Sequence, residues 1–492
     1  MNKGVDYYQV MNLPRDASPE EIREAYFDAA RRLHPDANPD PEAREEFLNI
    51  QIAYEVLSNP QRRSAYDSTL LQQLIKPEIS VSVKFSRSVL PRIDEPLLIY
   101  ALLELVCTAD LDRSKLPPVH ICLALDRSTS MQGDRMDMVK AAAGQLLRQL
   151  NPKDIVSVVA FGDRAEVVVP PTQVKELGKL EHIISLIKTS GGTEIYQGLE
   201  AGVSQLQIKA GKNVFRHLIL LTDGHTYGDE DACLSLAEQA ASEGIGISAL
   251  GIGHEWNDAF LDKLTSYGGG NAVFVSSPRD LYKFLEQKLS SMELIYARGI
   301  SYDFVCDPGV QLRYAFRLYP ETSLIPVTSP LCLGNIQYGK SLVALLEYMV
   351  NPLSKDAEQI KLSEGRVKMD IPTEVAPIER IFIKLKRPVS DSSELELPAA
   401  AIVEAMSRLT LYRLQERARL EVEAGSIQSA TKHLQYLATH LLAEGDRELA
   451  HTVLVEAEHI QQSQHFSKDG DKRIKYGTRA LLLPSGLEGG KL

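Results

Sequence analysis

The stretch that decides the fold is Val119-His120-Ile121-Cys122-Leu123-Ala124-Leu125-Asp126-Arg127-Ser128-Thr129-Ser130. An almost uninterrupted apolar run ends abruptly in a polar turn, which is typical of a strand buried on both faces of a parallel sheet. Similar runs follow at Ile155–Phe161, Phe215–Thr222, Gly246–Ile252 and Ala272–Val275. Helical stretches lie near Met136–Leu150, Ile195–Leu206, Asp231–Glu243, Ala259–Tyr267 and Leu281–Met292. This alternation predicts a doubly wound α/β domain over residues 118–292.

The segments on either side of this domain have a different pattern. Ile79–Phe85 alternates apolar and polar residues, Leu98–Val106 reads as a second strand, and residues 298–390 are strand-rich with Pro and Gly between the runs. We therefore expect residues 78–117 and 298–390 to pair into one β-sandwich, with the α/β domain inserted between its two halves.

The C-terminal part is helical in pattern. Residues 398–465 have helical periodicity with breaks at Ala424-Gly425 and Glu444-Gly445, which predicts a helical bundle. Residues 466–492 are polar and Gly-rich, with 6 Lys and Arg against 3 Asp and Glu. We expect a flexible tail there, and the alternatives are a linear motif at Tyr476–Leu483 that adds a strand to a partner, or a phosphorylatable Thr478.

Three polar loops of the α/β domain are expected at one edge of its sheet. Asp126 directly follows the first strand, and Ser128 and Ser130 come two and four residues later. Thr193 follows Gly191-Gly192, and Asp223 directly follows the strand Phe215–Thr222. Ligands bind beyond the carboxyl ends of the strands in open parallel sheets. Two carboxylates and three hydroxyls form a hard oxygen set that suits Mg²⁺.

This arrangement resembles the metal-ion-dependent adhesion site of the von Willebrand factor type A domain, and the resemblance covers residues 118–292. It implies a Rossmann-like α/β fold that holds Mg²⁺ or another divalent cation. An open coordination position of that ion would attract an acidic side chain of a protein ligand. The metal ligands it implies are Asp126, Ser128, Ser130, Thr193 and Asp223. The alternative is a metal-free domain of the same fold. Trp256 follows Gly253 in a loop, and we expect it near the rim of the site.

The first 70 residues are predicted to be helical. Ser18-Pro19-Glu20-Glu21 is a helix start with a capping box, and an apolar stripe then runs from Ile22 to Leu33. The turn His34-Pro35-Asp36 separates this helix from a second one that carries Phe47 to Leu57 on one face.

Together with Asp6-Tyr7-Tyr8 and Arg62-Arg63-Ser64-Ala65-Tyr66-Asp67, this segment resembles an all-α J domain over residues 4–68. J domains stimulate ATP hydrolysis by the ATP-driven heat-shock chaperone of the DnaK type. The resemblance implies that the chaperone-binding residues are His34, Pro35, Asp36, Arg23, Arg31 and Arg32. The segment 1–70 holds 8 Lys and Arg against 13 Asp and Glu, so its charge of −5 would weaken steering toward an acidic chaperone surface.

The composition limits the possible classes of protein. A length of 492 residues predicts about three or four domains. The net charge of −12 argues against nucleic acid as the main partner. Five dispersed cysteines suit neither a disulfide framework nor a CxxC zinc site. No signal-peptide core and no apolar run of about 18 residues occurs, so we expect a cytoplasmic protein without a membrane span.

No motif of the sequence predicts an enzyme. GxSxG and HExxH are absent, and the P-loop match at Gly334–Ser341 lies between stretches that read as antiparallel strands, so we interpret it as a turn. The prediction is therefore a J-domain co-chaperone or adaptor that recruits and stimulates the chaperone and binds a protein partner through a metal-dependent site. The alternatives are a non-catalytic scaffold and a partner of an AAA-type ATPase.

Overall fold

The chain forms two compact units, Met1–Glu78 and Ile79–Leu492, which are described separately. The computed structural model describes residues 7–11, 13, 17–33, 41–63, 66–67, 78–111, 116–208, 214–224, 228–253, 255–354, 357–372, 378–391, 397–467 and 469–482. Across these ranges, no helix combines the length and the apolar character needed to cross a membrane.

The first unit contains the helices α1 (Tyr7–Val10), α2 (Pro19–Leu33) and α3 (Pro41–Leu57). The predicted capping box is present at the start of α2. The amide of Glu21 donates to Oγ of Ser18 (3.2 Å), and the amide of Ser18 donates to Oε2 of Glu21 (2.6 Å). Tyr26 and Tyr54 stack with 4.1 Å between ring centroids, so aromatic contacts join α2 to α3.

The segment after α3 is tied back to α1. The Tyr8 hydroxyl donates to Oδ1 of Asp67 (2.8 Å) and accepts from Nε of Arg63 (2.9 Å). Burial, followed by the bond to Asp67, raises the pKa of Tyr8 to about 12. These bonds give Tyr8, Arg63 and Asp67 a shared structural role.

In the second unit, the α/β domain begins with β4 (Val119–Asp126), whose eight residues are all buried. The other strands are β5 (Ile155–Phe161), β6 (Ala165–Gln173), β7 (Phe215–Thr222), β8 (Ile245–Ile252) and β9 (Ala272–Val275). The helices are α4 (Asp134–Gln149), α5 (Leu177–Ser185), α6 (Ile195–Gln207), α7 (Glu230–Ser242), α8 (Asp258–Ser266) and α9 (Pro278–Glu293). The sheet order is β6-β5-β4-β7-β8-β9, and every pairing is parallel except that of β5 with β6.

Helices cover both faces of this sheet. Ile121 and Leu123 of β4 belong to the core that also contains residues of α4 and α9. Cys122 and Ala124 belong to the core on the opposite face, with residues of α6, α7 and α8. The strands therefore read as continuous apolar runs because both of their faces are buried.

The β-sandwich is built from segments on either side of the α/β domain. Its strands are β1 (Ile79–Phe85), β2 (Leu90–Pro91), β3 (Leu97–Cys107), β10 (Ile295–Val305), β11 (Val310–Tyr319), β12 (Ser323–Ile325), β13 (Leu331–Gln337), β14 (Ser341–Val350), β15 (Gln359–Asp370) and β16 (Ile378–Ser390). Within the described ranges they form two sheets, ordered β1-β3-β14-β11-β12 and β13-β10-β15-β16-β2. The inserted arrangement predicted from the sequence is confirmed.

The P-loop-like stretch forms a turn between strands. Gly334 lies in β13, the amide of Lys340 donates to the carbonyl of Gln337 (3.2 Å), and Ser341 begins β14. A phosphate-binding P-loop requires a helix directly after its loop, and here a strand follows.

The C-terminal helices are α10 (Ala400–Glu423), α11 (Ile427–Glu444), α12 (Arg447–Ser463) and α13 (Gly470–Ala480). The predicted breaks are present, with positive φ at Gly425 and Gly445. Ile402 and Leu409 of α10 pack with Phe316 and Leu345 of the sandwich.

Part of the expected flexible tail is an ordered helix. Helix α13 lies within residues 466–492, and its Lys475 and Arg479 side chains are about 5% exposed. They are buried because carboxylates of α8 pair with them. Residues 483–492 lie outside the described residues.

Candidate functional site

Backbone bonds join two of the three predicted loops. The amide of Thr129 donates to the carbonyl of Gly191 (3.1 Å), and the amide of Ser190 donates to the carbonyl of Arg127 (2.7 Å). Gly191 has φ +81°, and a Cβ there would lie 2.6 Å from Oδ2 of Asp163, so this close approach requires glycine. These bonds thus bring the loop before Thr193 to the loop that follows β4.

Four of the five predicted site residues form one chain of hydrogen bonds. Oδ1 of Asp126 accepts from the amide of Ser128 (2.8 Å), whose Oγ lies 3.0 Å from Oγ of Ser130. The Ser130 hydroxyl then donates to Oδ1 of Asp223 (2.7 Å). Thr193 lies beside the Asp223 loop, because a Cβ placed on Gly224 would be 3.3 Å from its Oγ1.

Thr222 also contacts the site, and the sequence reasoning missed it. Its hydroxyl donates to Oδ2 of Asp126 (2.7 Å), so both oxygens of that carboxylate are held. The available signal was its place in the sequence, directly before Asp223 at the end of β7. Hydrogen bonds that orient a candidate metal ligand in this way are common around metal sites.

The electrostatics of the site suit a cation. Asp126 and Asp223 are 0% and 1% exposed. Burial raises the pKa of Asp126, and the charge of Asp223 adds to this effect, whereas bonds from Thr222 and Ser128 oppose it. Two nearby buried carboxylates repel each other, and a cation between them relieves that repulsion.

The donor set also fits a divalent cation in its chemistry. The oxygens of two carboxylates and three hydroxyls are the ligands that Mg²⁺ prefers. Within the ranges described, no group of three or more His, Cys, Asp or Glu residues is placed to hold a metal ion. A metal at this site would therefore depend on the hydroxyls of Ser128, Ser130 and Thr193.

Arg135 is a second residue that the sequence reasoning missed. It lies in the first turn of α4 and pairs with Oδ2 of Asp223 through Nη1, which also lies 3.3 Å from the carbonyl of Ser130. A Cβ placed on Gly253 would be 3.3 Å from its Nη2. The signal was its position five residues after Ser130, directly after a predicted metal loop.

Trp256 is a buried residue in the segment that follows β8. It is 2% exposed, and its indole Nε1 donates to the carbonyl of Gly253 (2.9 Å). Lys472 of α13 places its Nζ 4.2 Å from the indole centroid and donates to the Trp256 carbonyl (2.6 Å). The indole is therefore a reporter of α13, and the sequence did not predict this contact because the tail was taken as flexible.

The predicted chaperone-binding residues lie in the first unit. His34, Pro35 and Asp36 fall outside the described residues. Arg23, Arg31 and Arg32 are exposed on α2. Nη1 of Arg31 lies 3.7 Å from Oδ1 of Asp28, and Nη2 of Arg32 lies 3.7 Å from Oε1 of Glu46.

Helix α2 carries two adjacent rows of exposed residues at helical spacing. Arg23, Phe27 and Arg31 form one row, and Glu20, Glu24 and Asp28 form the other. The guanidinium of Arg23 lies 5.7 Å from the centroid of the Phe27 ring. The basic residues implied by the resemblance are thus accessible but flanked by acids, which reduces their field at a distance.

Three families match successive parts of the chain. Residues 6–67 match the DnaJ domain, residues 120–287 match the von Willebrand factor type A domain, and residues 400–484 match the Sll0103-like, C-terminal alpha-helical domain. The type A match spans all three loops of the candidate metal centre.

Relatives of known sequence extend these matches. An uncharacterized protein, sll0103, of Synechocystis sp. is 27% identical over 393 residues, which are 76% of this chain and 90% of the relative. Chaperone protein DnaJ 2 of Streptomyces coelicolor is 55% identical over 62 residues, or 13% of this chain. Those residues span only 16% of that chaperone, so the likeness concerns one domain.

Two solved structures share the architecture. A von Willebrand factor type A protein from Catenulispora acidiphila has a TM-score of 0.67 at 15% identity and covers 82% of this chain and 96% of its own. The ArnB paralog VWA2 from Sulfolobus acidocaldarius has a TM-score of 0.53 at 17% identity, covering 82% and 99%. These likenesses show the fold alone.

The fold and the match over residues 120–287 identify a von Willebrand factor type A domain in this chain, a class of domain in which a metal-ion-dependent adhesion site is common. With its N-terminal match, the chain is a fusion of a J domain and a von Willebrand factor type A domain, followed by a C-terminal helical domain. Both named domains are typically non-enzymatic modules, one of a co-chaperone and one of protein interaction.

Proposed function

We propose that this chain is a J-domain co-chaperone that brings a DnaK-type chaperone to a specific protein partner. The J domain recruits the chaperone and stimulates its ATPase through His34, Pro35 and Asp36, with Arg23, Arg31 and Arg32 alongside. The type A domain binds the partner through Mg²⁺ and an acidic side chain of that partner. The observation that carries this proposal is the presence, in one chain, of a J-domain match and of the hydrogen-bonded set Asp126, Ser128, Ser130 and Asp223.

The donor set supports the metal-dependent part of the proposal. Asp126 and Asp223 would hold Mg²⁺ directly or through water, while Ser128, Ser130 and Thr193 would supply neutral oxygens. A bound Mg²⁺ would act as an electrophile for a carboxylate of the partner. The chain itself orients Asp126 through the Ser128 amide and the Thr222 hydroxyl, so little reorganisation would accompany ion binding.

The surface of α2 supports the chaperone-binding part. Arg23 and Arg31 lie on one exposed row with Phe27 between them, which presents two cations and an apolar ring to a partner. The adjacent acidic row favours a short-range interaction over long-range steering.

Two variants of the full chain separate the two activities. We expect His34→Gln to abolish stimulation of DnaK ATPase in single-turnover assays while partner binding persists. We expect Asp126→Ala combined with Ser128→Ala to abolish divalent-cation binding while ATPase stimulation persists. The control is Asp137→Ala, which removes one exposed carboxylate of α4 outside the hydrogen-bonded set.

The outcomes discriminate between the candidate functions. A wild-type chain that binds DnaK without stimulating its ATPase would identify a scaffold and refute the co-chaperone proposal. Affinity purification with and without EDTA tests the partner, because an ATPase ring recovered only without EDTA would replace the proposed client with an AAA-type motor. Loss of both activities in both variants, with circular dichroism unchanged, would refute the modular division.

A further inference from the structure

Arg135 is held at the candidate metal centre from three directions. Its guanidinium pairs with Asp223 and lies 3.3 Å from the carbonyl of Ser130. The third side is the turn at Gly253, where φ is +72° and a Cβ would approach Nη2 to 3.3 Å. The Arg135 side chain is 37% exposed, so part of it is open to solvent.

The positive charge of Arg135 changes the net charge of the site. Asp126 and Asp223 together contribute −2, and Arg135 brings the set to −1. A divalent cation added to this set would give +1, whereas the same site without Arg135 would become neutral. A net charge of +1 is complementary to a single carboxylate.

We propose that Arg135 sets the charge of the metal centre, so that it weakens divalent-cation binding and strengthens the capture of a partner's carboxylate by the loaded site. This inference rests on the proposed function, because it concerns the same metal centre. Asp223 is the residue through which Arg135 acts on the ion, since Oδ2 faces the guanidinium while Oδ1 accepts from Ser130.

The two consequences have opposite signs. At a separation of about 6 Å and the dielectric constant of water, a unit charge changes the binding of a dication by about tenfold. The same unit charge changes the binding of a monoanion by about threefold. Removing the charge of Arg135 should therefore tighten ion binding and weaken carboxylate binding.

A purely structural role predicts a different result. If Arg135 only held Asp223 in place, its loss would disorder that carboxylate. Ion binding and the carboxylate binding that depends on the ion would then both become weaker. Arg135→Lys keeps the charge but loses the planar pairing geometry, whereas Arg135→Gln keeps some hydrogen bonding and loses the charge. The two variants therefore separate charge from geometry.

The experiment measures Mn²⁺ and acetate binding to the full-length chain. Mn²⁺ affinity is obtained by titration with water-proton relaxation, and acetate binding from its effect on the relaxation of the loaded protein. Arg148→Gln is the matched control, because Arg148 lies near the other end of the same helix. Its Nε pairs with Oε1 of Glu181 in α5 (2.8 Å). Circular dichroism and thermal melting verify that each variant is folded.

We expect Arg135→Gln to bind Mn²⁺ about tenfold more tightly and acetate about threefold more weakly, while Arg135→Lys and Arg148→Gln stay near wild type. Equal or weaker Mn²⁺ binding by a folded Arg135→Gln protein would overturn the inference and leave the metal centre intact. Failure of the wild-type chain to bind Mn²⁺ would instead refute the metal centre of the proposed function.

Discussion

Replacing Asp262 by Ala removes the carboxylate on which two buried cations of α13 converge. Nη1 and Nη2 of Arg479 each lie 2.6 Å from an oxygen of Asp262, and Nζ of Lys475 lies 2.8 Å from Oδ2. The cations are 6% and 5% exposed, and Asp262 is 15% exposed. The variant leaves both cations buried without that partner.

The expected cost follows from this burial. Breaking a buried ion pair by removing one partner typically costs about 3–5 kcal/mol, because the remaining charge stays desolvated. Here Lys475 retains its contact with Asp258, so we expect the lower part of that range, about 3 kcal/mol. At 1.36 kcal/mol per factor of ten, the opening equilibrium of α13 should rise by about two orders of magnitude.

Hydrogen exchange measured by mass spectrometry on the peptide covering 470–480 tests this expectation. The control is Arg473→Ala, because Arg473 and its partner Asp469 are 54% and 37% exposed, and exposed pairs contribute about 0–1 kcal/mol. Exchange in Asp262→Ala that stays within threefold of wild type would refute the assignment of α13 docking to these buried ion pairs. Apolar contacts such as those of Ile474 would then hold the helix.

Further results are expected for the pH dependence of α13, for Trp256 emission and for the start of α2. Burial raises the pKa of Asp471 to about 6, while Arg419 opposes this shift and Asp258 adds to it. The docked state of α13 therefore binds this proton more tightly, so the protection of α13 from hydrogen exchange should increase as the pH falls from 7 to 5. Asp471→Asn should remove that trend. Below about pH 4 the trend should reverse, because the pKa of Asp262 is lowered by Arg479 and Lys475 despite burial, and the stability its charge supplies is lost there. Deleting residues 466–492 should shift Trp256 emission to longer wavelength, whereas adding Mg²⁺ to the intact chain should leave the emission maximum unchanged. Ser18→Ala should cost α2 about 1 kcal/mol, measured as about fivefold faster exchange of its first amides, because it removes the acceptor of the Glu21 amide.

The sequence predicted the parts of the fold in which burial follows from apolar composition. Ile155–Phe161 and Phe215–Thr222 were predicted with the bounds that the structure has, because both are continuous apolar runs in a parallel sheet. The edge strand Ala165–Gln173 was not predicted, since it contains two prolines and most of it is not buried.

Helix α13 was not predicted because its burial depends on pairing. Lys475 and Arg479 read as solvent-exposed in isolation, and the matching acids lie more than 200 residues earlier in α8. A single sequence holds no local signal for such a distant charge match. The candidate metal ligands, by contrast, were predictable because each lies directly after a recognisable strand or glycine turn. Thr222 and Arg135 act through those ligands, and their positions beside the predicted loops did not by themselves show these contacts.

One short segment links α13 to the metal centre. Gly253 lies beside Arg135, and Trp256, three residues later, contacts Lys472 and Tyr476 of α13. Undocking of α13 in Asp262→Ala therefore changes the support of the turn that flanks Arg135. Measuring Mn²⁺ affinity in Asp262→Ala as well separates the two effects. If Asp262→Ala binds Mn²⁺ with unchanged affinity while Arg135→Gln binds it more tightly, the tighter binding is due to the charge of Arg135. Loss of packing along this segment would then have no effect on ion binding.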